Sequence, residues 1–211
     1  MHNCLVGSEM CIRDRLTPEL IEHVQSGGVV AYPTSTLPGL ACLPTKAALD
    51  ALFALKQRDS SKPVSLGVLS LDQAAQFVKV PDKVRAVERQ FPKGAFTFIL
   101  DALEPQDPRL GGNRVAVRCL AHPKGRLLVE TFGPITATSA NESGEEPEPS
   151  AEAAGAVLGL PSHAILSGAC PGGVGSTILS VVEGSHGTEV TIIREGVVPA
   201  HSVVQWWKNP T

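Results

Sequence analysis

From Leu16 onward the apolar positions switch between a helical period and short continuous runs. Leu20, Ile21 and Val24 make a stripe at helical spacing behind Thr17 as N-cap and Pro18 at the first helical position, with Gly27-Gly28 as the stop. Residues 29–32 then form a short apolar run that predicts a buried strand. Thr45 caps a second helix whose Leu49, Leu52, Phe53 and Leu55 recur at helical spacing. That helix carries Lys56 and Arg58 to its C-terminal end, where its dipole favours cations.

Residues 64–69 predict the next strand, and Ser70 with Gln73 forms a capping box for a helix reaching Val78. Pro81 opens another helix that runs to about Phe91. The pattern then turns β-rich: strands at 95–100, 114–119 and 134–138, with one helix over 123–132 stopped by Gly133. Residues 142–149 hold four glutamates, two prolines and a glycine, an exposed loop before a helix capped by Ser150. Beyond a glycine-rich turn at 168–175, strands at 176–183 and 190–194 join around Gly184-Ser185-His186-Gly187, and Pro199 begins a last helix ending in Trp206-Trp207. There is no internal repeat and no long linker. The whole predicts one α/β domain around a twisted mixed sheet.

Composition narrows the classes. In 211 residues, 43% hydrophobic and 18% charged, there is enough apolar material for one sizeable core. A net charge of -3 excludes a histone-like binder. No apolar run reaches the roughly 18 to 20 residues of a membrane span, and the start lacks an export pattern, so a cytoplasmic protein without membrane partners is expected. Five cysteines are widely spaced with no Cys-x-x-Cys pair, and six histidines are scattered, so neither a disulfide framework nor a protein-built metal site is indicated. Residues 9–14 (Glu-Met-Cys-Ile-Arg-Asp) are what a transposon-end sequencing adapter encodes when read through, so residues 1–15 are set apart as a non-native or disordered tail before a domain at 16–211.

Generic nucleotide motifs fail: Val174 follows Gly173 where a Walker lysine belongs, no Gly-x-Gly-x-x-Gly opens a helix, and there is no Gly-x-Ser-x-Gly elbow. More specific strings remain. Tyr32-Pro33-Thr34-Ser35-Thr36 follows the first strand, Lys56-Gln57-Arg58 and Lys62-Pro63 follow the second helix, Arg118 ends Val115-Ala116-Val117-Arg118, and Ser139-Ala140-Asn141 ends another strand. With Ser176-Thr177 and Arg194-Glu195-Gly196, their order resembles the YrdC/Sua5 family over residues 28–196. Chemically, Lys56, Arg58 and Lys62 suit a triphosphate, Ser139 and Asn141 offer directional hydrogen bonds, and Arg118 suits a carboxylate. Taken singly, Arg118 could equally pair with an acid on the sheet face, and Lys56 or Arg58 would be solvated dipole partners.

The resemblance implies a YrdC-like domain, an open twisted mixed sheet flanked by helices, acting as a threonylcarbamoyl-AMP synthase, a nucleotidyltransferase. L-threonine, bicarbonate or CO2, and ATP would give threonylcarbamoyl-AMP and pyrophosphate for the t6A modification of tRNA, with Mg2+ held mainly through the ATP phosphates. It puts Lys56, Arg58, Lys62, Arg114, Ser139, Asn141 and Arg194 at ATP, with Lys56 and Arg58 also as the catalytic cations. Thr36, Arg118, Ala137 and Ser176 fall at threonine. tRNA or a threonylcarbamoyl-transferase complex are the implied partners. A non-catalytic RNA-binding paralogue and a carbamoyl-transfer module are the alternatives. Two departures stand out: Leu37-Pro38 replaces the family's Val-Tyr, and Gly67 replaces a polar side chain found near threonine in some members.

Overall fold

The computed structural model describes residues 15–185 and 187–209. The tail assigned to residues 1–15 lies, apart from Arg15, outside the described residues, as do Cys4 and Cys11. The elements in chain order are α1 (Pro18–Gln25), β1 (Val30–Tyr32), β2 (Gly39–Ala41), α2 (Lys46–Leu55), β3 (Ser65–Val68), α3 (Leu71–Ala74), α4 (Asp82–Gln90), β4 (Phe96–Asp101), β5 (Arg114–Cys119), α5 (Pro123–Phe132), β6 (Ile135–Ser139), α6 (Ala151–Val157), β7 (Thr177–Gly184), β8 (Gly187–Arg194) and α7 (Ala200–Lys208). The caps behave as their chemistry requires. Thr17, Ser70 and Ser150 accept from the third backbone N–H beyond them, at 3.3, 3.3 and 3.1 Å, and Gly133 leaves α5 with φ of 80°, a conformation that suits glycine.

The eight strands form one mixed sheet in the order β1-β2-β6-β3-β5-β4-β7-β8, parallel at β3/β5 and β4/β7 and antiparallel elsewhere. On one face α2, α3, α4 and α7 bury the main core, in which Leu49, Leu52 and Phe53 meet Leu66, Phe98, Val117 and Leu179. On the other face α1 and α5 cover the half around β1, β2 and β6, through Leu20, Val24, Leu128 and Val129 against Val30, Ala41 and Ile135. The cleft described below opens on the neighbouring stretch of that face, over β5, β4 and β7.

β2 has no alternation over its three residues and is held by pairing with β1 and β6. Two expectations need correction. α3 stops at Ala74 instead of Val78, because Phe77, Val78 and Lys79 pair with the chain around Ala102 (Leu103 N–H to Phe77 O 2.9 Å, Lys79 N–H to Asp101 O 2.8 Å). β8 starts at Gly187, not Val190, since its pairing with β7 runs back to Gly184↔Gly187. Trp206 and Trp207 are buried and dock α7.

Candidate active site

The cleft of about 320 Å3 is lined by residues that sequence spacing alone keeps far apart. β5 supplies both of its ends. Val115, Val117 and Cys119 point into the core while Arg114, Ala116 and Arg118 face the cleft, and residues four apart on a strand stand about 13 Å apart. The same alternation brings Thr97 and Ile99 from β4, Ser65 from β3, and Ala137 and Ser139 from β6. Tyr32, Thr34 and Thr36 come from the end of β1 and the turn after it, Ser176 precedes β7, and Arg194 ends β8.

Arg58 arrives by a backbone device. Gln57 has φ of 48°, the one positive φ among described non-glycine residues, and Gln57 Nε2 donates to Glu142 Oε2 at 3.0 Å. This left-handed step lets Lys56 turn inward while Arg58 turns to the cleft. Arg58 is then held by its Nε on Lys62 O (2.7 Å) and its Nη2 on Pro63 O (2.9 Å).

The electrostatics are lopsided: among the described residues four arginines line the cleft and no carboxylate does. Among the described residues Arg58, Arg118 and Arg194 have no acidic partner; Arg114 alone meets one, Asp101 at 3.2 Å. Arg118 donates from Nε to Gly94 O (3.1 Å) and from Nη2 to Thr36 Oγ1 (2.9 Å), and Arg194 Nη2 donates to Ser176 O at 2.9 Å. Burial pushes Arg58 and Arg118 below the usual guanidinium range; for Arg118, Tyr32 acts in the opposite sense and nearby Arg194 adds to the lowering. Guanidinium remains charged throughout the working pH range, so positive charge stays uncompensated here until an anion enters. Hydroxyls complete the wall: Thr34 Oγ1 donates to Leu37 O (2.6 Å) and accepts from Thr36 N–H (3.0 Å), and Thr97 and Ser176 share a hydrogen bond of 2.8 Å. Among the described residues no three His, Cys, Asp or Glu side chains gather to hold a metal. This donor set does not fit a protein-held Mg2+; it fits a polyanion.

The sequence-derived candidates divide. Arg58, Arg114, Ser139, Arg194, Thr36, Arg118, Ala137 and Ser176 all line the cleft. Lys56, Lys62 and Asn141 do not. Lys56 is 1% exposed, and its ammonium donates to Ser139 O and Asn141 O, both at 2.5 Å. Burial, with Arg58 nearby, lowers its pKa to about 8. Lys62 is exposed and offers Arg58 its carbonyl. Asn141 Nδ2 donates to Glu142 O (2.9 Å) and Glu145 O (2.6 Å), tying down the acidic loop, none of whose glutamates lines the cleft. At Gly67 a Cβ would lie 2.9 Å from Leu120 Cδ1, so Leu120 fills the space beside it. Sequence reading missed Tyr32, Thr34, Ser65 and Thr97 as lining residues. The alternation of Thr97 with Phe96 and Phe98 was the available signal for one of them.

Comparison with known proteins agrees with this geometry. A Sua5/YciO/YrdC family model, described as telomere recombination, matches residues 22–196. A threonylcarbamoyl-AMP synthase of Alkalilimnicola ehrlichii is 39% identical over 133 residues, 61% of this chain and 70% of the relative's. One from Hydrogenovibrio crunogenus is 38% identical over 154 residues, 69% of this chain and 81% of its own. The crystal structure of P. abyssi Sua5 complexed with L-threonine superposes with a TM-score of 0.77 at 26% identity, over 94% of this chain and 57% of that larger protein. With the family model spanning most of its length, the chain belongs to the Sua5/YciO/YrdC family.

Proposed function

We propose that this protein is an L-threonylcarbamoyladenylate synthase, condensing L-threonine, bicarbonate or CO2, and ATP into threonylcarbamoyl-AMP and pyrophosphate. The observation that carries the reading is the cleft whose only charged lining groups, among the described residues, are four arginines, in a chain similar to proteins of that name. A nucleotide triphosphate and an amino-acid carboxylate are the anions such a cleft accommodates side by side.

In this reading Arg58, Arg114 and Arg194, with Ser139, hold the nucleotide, while Arg118, Thr36, Ala137 and Ser176 surround threonine. The amine of threonine attacks CO2 and loses a proton, giving a carbamate; when bicarbonate is the carbon source, one water is released. A carbamate oxygen then attacks the α-phosphorus, and the bond to the β-phosphate oxygen breaks, so pyrophosphate leaves with its electron pair. No side chain forms a covalent intermediate. The protein contributes positioning and neutralisation of the charge that builds on the phosphoryl oxygens. Mg2+ enters as part of the nucleotide substrate, on phosphate oxygens, and the product serves t6A formation on tRNA. Pyrophosphate release tests the reading: it should require ATP, threonine and bicarbonate together, and equal release with threonine omitted would reject the assigned substrate.

A further inference from the structure

β4 lies between β5 and β7 in the sheet, so Thr97 stands on the strand between Arg118 and Ser176. The pairing of Phe98 with Val117 sets Thr97 beside Arg118 at the next position along, and the pairing of Phe96 with Thr177 brings Ser176 alongside from the other strand. Two strand spacings, about 10 Å, separate the backbones of those outer residues, and Thr97 fills the gap on the cleft face. Its neighbours Phe96 and Phe98 belong to the core, whereas Thr97 is 4% exposed and lines the cleft, as does the equally buried Ser176. Their hydroxyls share one bond of 2.8 Å, and neither has another partner among the described residues. Two hydroxyls bring two protons and the mutual bond uses one, so a single O–H donor is left for the cleft.

The backbone around Ser176 is already pinned. Its carbonyl accepts from Arg194 Nη2 at 2.9 Å, Thr177 N–H donates to Ala95 O at 2.9 Å, and Thr177 Oγ1 donates to Val198 O at 2.7 Å. The side-chain torsion of Ser176 is the freedom that remains. Resting on the threonine reading above, we propose that Thr97 is a positioning residue: its hydroxyl donates to Ser176 Oγ, holds that side chain in one rotamer, and so aims the unspent O–H of Ser176 at the amino-acid substrate. Thr97 acts on the substrate only through Ser176. Without this partner the serine spreads over the staggered wells open to it, and ordering it falls to the ligand.

The test is calorimetry on the full chain with L-threonine and with ATP, comparing wild type, Thr97→Val, Thr97→Ser, Ser176→Ala and the Thr97→Val/Ser176→Ala double variant. Thr97→Val keeps the shape and removes the hydroxyl; it should weaken threonine about three- to tenfold and leave ATP affinity unchanged. Thr97→Ser restores the hydroxyl without the methyl and should bind threonine like the wild type. A residue that merely fills space would behave in the opposite way, tolerating valine and not serine. Once Ser176→Ala has removed the group being aimed, Thr97→Val should cost threonine nothing further. Unchanged threonine affinity in Thr97→Val, an equal loss for ATP in a folded Thr97→Val protein, failure of Thr97→Ser to rescue, additive losses in the double variant, or wild-type threonine affinity in Ser176→Ala each overturns the proposal. Should Thr97→Val fail to fold by circular dichroism, Thr97→Ala takes its place and must meet the same criteria. A wild-type protein that binds ATP but not threonine overturns the functional reading itself, and that outcome is distinguishable because no variant enters it.

Discussion

Replacing Lys56 by Met separates a structural clamp from a nucleotide contact. The Lys56 ammonium bridges Ser139 O and Asn141 O, and Ser143 N–H returns to Lys56 O at 3.0 Å, so the end of α2 is bolted to the segment after β6. Met preserves most of the buried stem and removes the two donated bonds. A buried acceptor losing its partner costs about 1–3 kcal/mol, and the carbonyls' second lone pairs soften the sum, so ~3 kcal/mol is expected in all. In a chain of this size that lowers the thermal midpoint by about 6–12 °C. ATP affinity should fall only as Ser139 shifts, less than in Arg58→Ala. Circular-dichroism melting with parallel ATP calorimetry reads both quantities. A Lys56→Met protein that melts like the wild type but loses ATP as completely as Arg58→Ala would refute the clamp and make Lys56 a direct ligand.

Three further outcomes follow from the same geometry. Burial brings Lys56 to about 8 while an unfolded lysine keeps 10.5; the unfolded chain then binds the extra proton between those values, so this group makes stability rise with pH across that window. Urea unfolding at both ends of it should show the slope in the wild type and not in Lys56→Met; equal slopes contradict it. Arg58→Ala should weaken ATP and spare threonine, and Arg118→Ala the reverse, each by about tenfold or more, whereas matching losses for both ligands in either variant would collapse the two-anion layout. At Gly175 a Cβ would lie 2.9 Å from Arg194 Nη2, so Gly175→Ala should displace that guanidinium and raise the KM for ATP severalfold with little change in melting; an unaltered KM would count against Arg194.

Much of this arrangement can be read from residues in order, and the failures have physical causes. Three helix starts and one helix end were readable because caps are local: Thr17, Ser70, Ser150 and Gly133 act within one turn of themselves. Arg114 and Arg118 reach one cleft because a strand's period of two is equally local. Asn141 lies outside the cleft lining because its amide is spent on the carbonyls of the loop that follows it. Lys56 lies outside it because its partners are carbonyls 83 and 85 residues away, reached only through tertiary contact, and a lysine beside an arginine carries no mark of which one turns inward. That choice is made by the left-handed step at Gln57. Tyr32 reads as core in any apolar count, and its place in the cleft wall depends on the space granted by Gly39 and Gly125.

Mass spectrometry of the nucleotide product made from ATP, L-threonine and carbon-13-labelled bicarbonate probes the account most directly. An adenylate bearing threonine and one labelled carbon, formed alongside pyrophosphate, is the predicted result. An adenylate without the label, or AMP alone whichever amino acid is supplied, would contradict it.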